Sequence, residues 1–116
     1  MLSDAPLEIT RKEGKSADTQ VFQLSGPVTL RNLFELQSQL RSGGAARLTI
    51  LDLTGVPYMD SAGMGLVMNQ YVHCQTKGLK LVVAGANRRI MDLFEVTKVS
   101  NILPLANTVE EAEAAN

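Results

Sequence analysis

The chain has 116 residues, a hydrophobic fraction of 45% and a formal net charge of −1. This length predicts one folded domain over residues 1–116, and the hydrophobic content is too high for a disordered chain. The basic residues form no long run, and Arg88-Arg89 is the densest basic spot. This pattern argues against a nucleic-acid-binding face, which needs clustered cations.

Cys74 is the single cysteine, so no internal disulfide can form and a reducing compartment is favoured. Residues 1–15 contain no apolar signal core. No segment approaches the roughly 20 apolar residues of a membrane span. We therefore expect a cytoplasmic protein with no part inserted in a membrane.

The hydrophobic pattern predicts strands that alternate with helices. The predicted elements are strands over 7–10 and 19–25, a helix from 32 closed by Gly43-Gly44, a strand over 48–53, a helix over 62–76, a strand over 79–84, a helix capped by Asn87, a strand over 102–105 and a helix over 109–115. The order β-β-α-β-α-β-α-β-α predicts the α/β class. We expect a four- to five-stranded mixed, mainly parallel sheet packed by about four helices.

The segment from Asp52 to Gly65 joins a central strand to the start of a helix. In α/β sheets this edge is where ligands and partners are usually met. Asp60 and Ser61 each carry an oxygen that can cap the helix, so Ser61 is either a plain cap or a regulated residue. Gly63 and Gly65 each cost about 1 kcal/mol of helix propensity relative to Ala. Either close packing on the sheet or a surface kept clear for another molecule explains them.

A phosphate on Ser61 would lie at a favourable place. The N-terminus of a helix offers unpaired N–H groups and a positive dipole end, which stabilise an added charge near −2. Phosphorylation at this position therefore changes the charge and shape of a loop without unfolding the helix.

Catalytic and metal sites are not supported by the pattern. No Gly-Lys-Ser/Thr follows Gly65, as a phosphate-binding P-loop requires, and the glycine two residues before the serine of a nucleophile elbow is absent. His73 lies roughly 18 Å along the helix from Ser61, too far to act as its base. His73 and Cys74 are adjacent and point apart on a helix, so they cannot share a metal. Asp52 and Asp60 lack the acidic cluster of an aspartyl-phosphate receiver.

The run Met59-Asp60-Ser61-Ala62-Gly63-Met64-Gly65, preceded by Asp52-Leu53 and Val56, resembles the signature of STAS domains. Within that family it is most similar to bacterial anti-sigma factor antagonists, also called anti-anti-sigma factors. The resemblance extends to Leu24-Ser25-Gly26 before the first helix, to the strand over 79–84, and to Leu93-Phe94 after Asn87.

This resemblance implies a phosphoprotein that regulates transcription by partner switching. A serine kinase that is itself the anti-sigma factor phosphorylates Ser61, the unmodified protein binds that kinase, and a phosphatase resets the switch. It also implies no catalysis and no cofactor. Many antagonists carry an acidic residue where this chain has Thr29, two residues after Pro27. That departure bears on the choice of kinase.

The predicted partner-binding surface combines the turn at Thr29 with the start of the helix. Its residues are Thr29, Met59, Asp60, Ser61, Ala62, Gly63 and Met64. We expect Met59 to be an exposed apolar contact, Met64 and Met68 to belong to the core stripe, and the free chain to be a monomer. Two alternatives stay open. One is a STAS scaffold in a signalling assembly or beside a membrane transporter; the other is a small enzyme that uses Asp60 or Ser61.

Overall fold

The computed structural model describes residues 6–116, which form five strands and four α-helices. The strands are β1 Glu8–Glu13, β2 Thr19–Ser25, β3 Leu48–Gly55, β4 Lys80–Ala84 and β5 Leu105–Ala106. The helices are α1 Leu33–Ser42, α2 Ser61–Thr76, α3 Arg88–Val96 and α4 Val109–Ala114. Short 3₁₀ turns at Leu30–Asn32 and Val99–Asn101 precede α1 and follow α3.

The five strands lie in the sheet in the order in which they occur along the chain. β1 runs antiparallel to β2, and every later neighbouring pair is parallel. Each parallel pair is joined by a helix, and right-handed crossovers that advance in one direction place α1, α2 and α3 on the same face. The predicted α/β fold with a mixed, mainly parallel sheet is therefore confirmed.

The core is divided by the sheet because successive side chains of a strand point to opposite faces. Phe22 and Leu24 enter the larger cluster, which α1, α2 and α3 cover. Val21 points the other way, into a smaller cluster that includes Ala112 of α4. The larger cluster holds α2 against β3, and this packing fixes the loop between them.

Helix α2 has a defined start and a defined end. Asp60 is its N-cap, and Gly78 lies beyond its C-terminus with a φ of +72°, the left-handed conformation that glycine adopts without strain. The N–H of Leu79 donates to the carbonyl of Cys74, and the N–H of Gly78 donates to the carbonyl of Gln75. These are the two hydrogen bonds of a Schellman motif. The predicted end of this helix at Gly78 is thus confirmed.

Two predicted strands have different bounds. β1 continues to Glu13, whereas the sequence predicts a polar turn from Arg11; as an edge strand it stays exposed, so it keeps polar side chains beyond the apolar pattern. The strand predicted over 102–105 is wrong for most of its length, and only Leu105–Ala106 pairs with β4. Lys98 adopts a left-handed φ of +67° and starts a 3₁₀ turn that buries Val99 and Leu103.

Candidate functional site

The candidate site lies where two loops meet at the carboxyl edge of the sheet. We call residues 26–32 the β2–α1 turn and residues 56–61 the Ser61 loop. The N–H of Val28 donates to the carbonyl of Tyr58, and the N–H of Asp60 donates to the carbonyl of Val28, both at 3.2 Å. Val28 and Met59 form a parallel bridge between these bonds. The two loops are therefore held together as a short extension of the β2–β3 ladder.

The carboxylate of Asp60 joins these loops to helix α2. Its Oδ1 accepts the N–H of Gly63 at 2.8 Å, and its Oδ2 accepts the N–H of Leu30 at 3.1 Å. The first bond caps α2, where a negative charge also interacts favourably with the helix dipole. The second bond fixes the β2–α1 turn beside the helix start. The structure thus brings together the two segments of the predicted partner-binding surface.

Ser61 is the first residue of α2 and is exposed. Because Asp60 is the N-cap and accepts the N–H of Gly63, the interpretation of Ser61 as a plain cap is wrong. The Ser61 hydroxyl has no part in capping the helix that it begins. It lies at the positive end of a 16-residue helix, in reach of solvent.

The two glycines of the motif have different surroundings. A Cβ on Gly63 would lie 2.4 Å from the backbone oxygen of Val28, so this glycine permits the close contact between α2 and the β2–α1 turn. A Cβ on Gly65 would meet nothing within 4 Å, and this residue is exposed. Close packing therefore explains Gly63, whereas nothing in the described part of the chain explains Gly65.

Three residues of the predicted surface are buried: Gly63, which contacts Val28, and also Met59 and Thr29. Met59 is 8% exposed and packs in the larger core cluster, so its expected exposure is wrong. The bridge to Val28 fixes the backbone of Met59, and its side chain lies in the core. Thr29 is also 8% exposed, and its hydroxyl has no hydrogen-bond partner among residues 6–116.

Met64 and Met68 are partly buried and pack against the larger core cluster, as the predicted stripe requires. The sulfur of Met64 lies 3.3 Å from the Thr97 hydroxyl, which donates to the carbonyl of Leu93 at 2.7 Å. Met64 is thus shared between the core and the surface beside α3, and Ala62 is half-buried at the helix start.

Exposed apolar side chains lie on the β2–α1 turn and on the first turn of α1. Leu30 is 66% exposed and Phe34 is 79% exposed, a level unusual for large apolar residues. An open groove of about 530 Å³ between α1 and α2 is lined by Ala62, Gly65 and Leu33, among others. Leu30 and Phe34 are not among the residues that the sequence predicts for the partner-binding surface. Their signal is a spacing of four residues outside the Leu33-Leu36-Leu40 stripe.

A third loop is tied to the site by Asn87. Its Oδ1 accepts the N–H of Ile90 at 2.9 Å, which confirms the predicted cap of α3. Its Nδ2 donates to the carbonyl of Pro57 at 3.0 Å and to that of Val56 at 3.3 Å. Asn87 therefore holds the start of the Ser61 loop, whereas Asp60 fixes its end.

The residues considered for catalysis lie apart or are bound locally. His73 is in the last turn of α2, at the end remote from Ser61. The Oδ1 of Asp52 accepts both the N–H and the hydroxyl of Thr54, at 3.0 and 2.6 Å. Within residues 6–116 no three His, Cys, Asp or Glu side chains are grouped as metal ligands would be. None of the helices in this part of the chain has the length and apolar character needed to span a membrane.

Comparisons with known proteins support the fold. The chain is 33% identical over 78 residues to the anti-sigma-B factor antagonist of Listeria monocytogenes. The aligned stretch covers 67% of this chain and 66% of that protein. Among solved structures, it is similar to an anti-sigma factor antagonist from Mycobacterium paratuberculosis, with a TM-score of 0.81 and 18% identity over 93% of each chain.

It is also similar to the Bacillus cell fate determinant SpoIIAA in its phosphorylated form, with a TM-score of 0.70 and 18% identity, over 93% of this chain and 98% of that one. At this identity the solved structures show a shared fold. The sequence model of the STAS domain matches residues 11–112, which include every element from β2 to α3 and the whole candidate site. This chain is a member of the STAS domain family.

Proposed function

We propose that this chain is a regulatory protein-binding domain of the anti-sigma factor antagonist type, and that phosphorylation of Ser61 switches its binding off. The observation that carries the proposal is the exposed Ser61 at the start of α2, beside an Asp60 that already provides the cap. A modifying enzyme can reach this hydroxyl without breaking a capping hydrogen bond. The added phosphate would gain from the helix dipole, so the fold would tolerate it.

The surface next to Ser61 is suited to binding a protein. Leu30, whose N–H donates to Asp60, is exposed, and the groove along Ala62 and Gly65 lets another backbone come close to α2. Aromatic and large apolar residues are enriched at the centres of protein interfaces. A charge near −2 placed at the edge of this patch would have to be desolvated on binding, which opposes association.

The proposed partner is an anti-sigma factor that is also a serine kinase. The relative from Listeria monocytogenes carries the name of an anti-sigma-B factor antagonist, and the matched part spans 66% of its length. In this proposal the unmodified chain binds the kinase and frees a sigma factor, the kinase phosphorylates Ser61, and a phosphatase restores the binding form. The chain acts in the cytoplasm as a ligand and substrate, with no catalysis of its own.

Thr29 defines the part of the surface where this chain differs from many antagonists. Its side chain is buried beneath the β2–α1 turn, and the adjacent N–H of Leu30 is bound to Asp60. In this turn, the proposal assigns partner recognition to the exposed Leu30 and to the backbone. Position 29 contributes no carboxylate, because it is a threonine.

The modification itself is tested by mass spectrometry. The protein is isolated from the cells that produce it, and its intact mass and peptide map are measured in growing and in stressed cells. We expect a fraction that is heavier by one phosphate, with the phosphate mapped to Ser61. An unmodified Ser61 under every condition, or a phosphate only on another residue, contradicts the proposed switch.

A further inference from the structure

A cavity of about 180 Å³ lies at the end of α2 that is remote from Ser61. It is enclosed by the C-terminal turns of α1 and α2 and by the start of β3, with Leu40 and Leu79 supplying apolar wall. An engineered apolar cavity of about 150 Å³ is large enough to bind benzene. This space can therefore hold a small organic molecule.

Buried polar groups line this cavity. Gln70 is 7% exposed and Thr49 is 4% exposed. The Thr49 hydroxyl accepts a hydrogen bond from the Nε2–H of Gln20 at 2.9 Å. The Gln70 side chain interacts with the thiol of Cys74. A carboxamide has two donor hydrogens and an acceptor oxygen, and a thiol is a weak partner. Gln70 thus places a buried polar group at the cavity wall.

Apart from Cys74, whose thiol pKa is raised by burial, the ionisable side chains at this cavity are basic. Arg41, His73 and Lys77 line it, and no Asp or Glu of the described chain does. None of the three forms an ion pair with another residue in 6–116. Cations in the last turn of a helix are favoured by the dipole, which accounts for their presence near the ends of α1 and α2. The dipole does not account for the buried carboxamide behind them.

We propose that this cavity binds a small organic carboxylate. Its carboxylate lies toward Arg41 and Lys77 at the opening, and its body extends inward against Leu40 and Leu79, with the amide of Gln70 at the cavity wall. The position is remote from the partner-binding surface, since His73 is roughly 18 Å from Ser61 along the helix. This site is independent of the proposed function, and either can fail without the other.

The test uses benzoate and benzamide, which have the same ring and differ in charge. Each is titrated into the ¹⁵N-labelled full chain, and amide shifts are followed by NMR. We expect benzoate to shift Ala45, Thr49 and Cys74 in a saturable way, and benzamide to bind at least fivefold more weakly. A variant with Arg41→Gln and Lys77→Gln should lose at least fivefold in benzoate affinity, whereas Arg88→Gln on α3 removes one remote positive charge and should leave it unchanged.

A dispersed spectrum of each variant shows that it is folded. The proposal is overturned if benzoate gives no saturable shifts at these residues up to about 50 mM. It is equally overturned if benzamide binds as tightly as benzoate, or if the double variant keeps the affinity of the unmodified chain.

Discussion

At the scale of single residues, the two glycines of the motif make opposite predictions. Gly63→Ala places a Cβ 2.4 Å from the Val28 oxygen, a backbone atom that cannot move alone, and should destabilise the protein by about 1–3 kcal/mol. Gly65→Ala meets nothing within 4 Å and should stabilise it by up to about 1 kcal/mol through helix propensity. Urea unfolding measures both. A shift of both variants in the same direction would show that the two surroundings are wrongly described.

Thr29 carries a second prediction at this scale. Its hydroxyl is buried without a partner in the described chain, which costs free energy relative to an apolar group of the same shape. Thr29→Val keeps the shape and removes the hydroxyl, so it should leave the stability unchanged or raise it by up to about 1 kcal/mol. A loss of more than 1 kcal/mol in urea unfolding would mean that the hydroxyl has a partner after all.

For single residues, the sequence predicts which side chains belong to the site better than it predicts which of them are exposed. The Asp60-Ser61 pair and the two glycines are visible as a pattern, but either oxygen can cap a helix, and only the bond from Gly63 to Asp60 decides between them. The sequence predicts an exposed Met59 because this residue lies in a loop. The bridge that fixes its backbone joins it to Val28, 31 positions earlier, and local pattern carries no information on such a contact.

At the scale of elements, α4 is tied to the hairpin by one carboxylate. Glu113 accepts the N–H of Ser16 at 2.7 Å, the Ser16 hydroxyl at 2.8 Å and the N–H of Lys15 at 3.1 Å. These hydrogen bonds hold the pKa of the Glu113 carboxyl below its usual value, and the bond from the Ser16 backbone has the largest effect. A lowered folded-state pKa contributes stability above the unfolded value, about 4.3, that is lost as the pH falls through the folded pKa.

We therefore expect Glu113→Gln to lower the urea midpoint at pH 7 and to have a smaller effect at about pH 3, where the carboxyl is increasingly protonated. Glu95→Gln, an exposed glutamate on α3 with no such bonds, serves as the control. Equal effects of Glu113→Gln at both pH values would contradict the assignment of this pKa shift.

The same scale shows why some element bounds escape prediction. The polar half of β1 pairs with Gln20 to Phe22, and this long-range pairing overrides a local pattern that reads as a turn. Lys98 has a left-handed backbone although it is not a glycine, so the sequence gives no sign of the turn. The apolar residues that follow therefore predict a strand that the structure does not have over most of its length. Helix α2, with Asp60 before it and Gly78 after it, has clear end signals and was predicted to within one residue.

At the scale of the whole molecule, a charge at Ser61 should change binding and leave the fold intact. Ser61→Asp adds a negative charge at the start of α2, which the dipole favours by about 0.3–1 kcal/mol, while the neighbouring Asp60 opposes it. We expect the free energy of unfolding to change by less than about 1 kcal/mol and the NMR spectrum to stay dispersed. Unfolding of this variant would mean that a phosphate acts on the fold. It would contradict the proposal that the phosphate acts only on the partner-binding surface.

The measurement that tests the central claim most directly is the affinity of the chain for a purified anti-sigma factor kinase from the same cells, by calorimetry. Ser61→Ala should bind as the unmodified chain does, and Ser61→Asp should bind at least tenfold more weakly, about 1.4 kcal/mol. Asn101→Asp, which adds one negative charge at an exposed position after α3, should bind normally. Equal affinities for Ser61→Ala and Ser61→Asp would contradict the claim that charge at Ser61 controls binding.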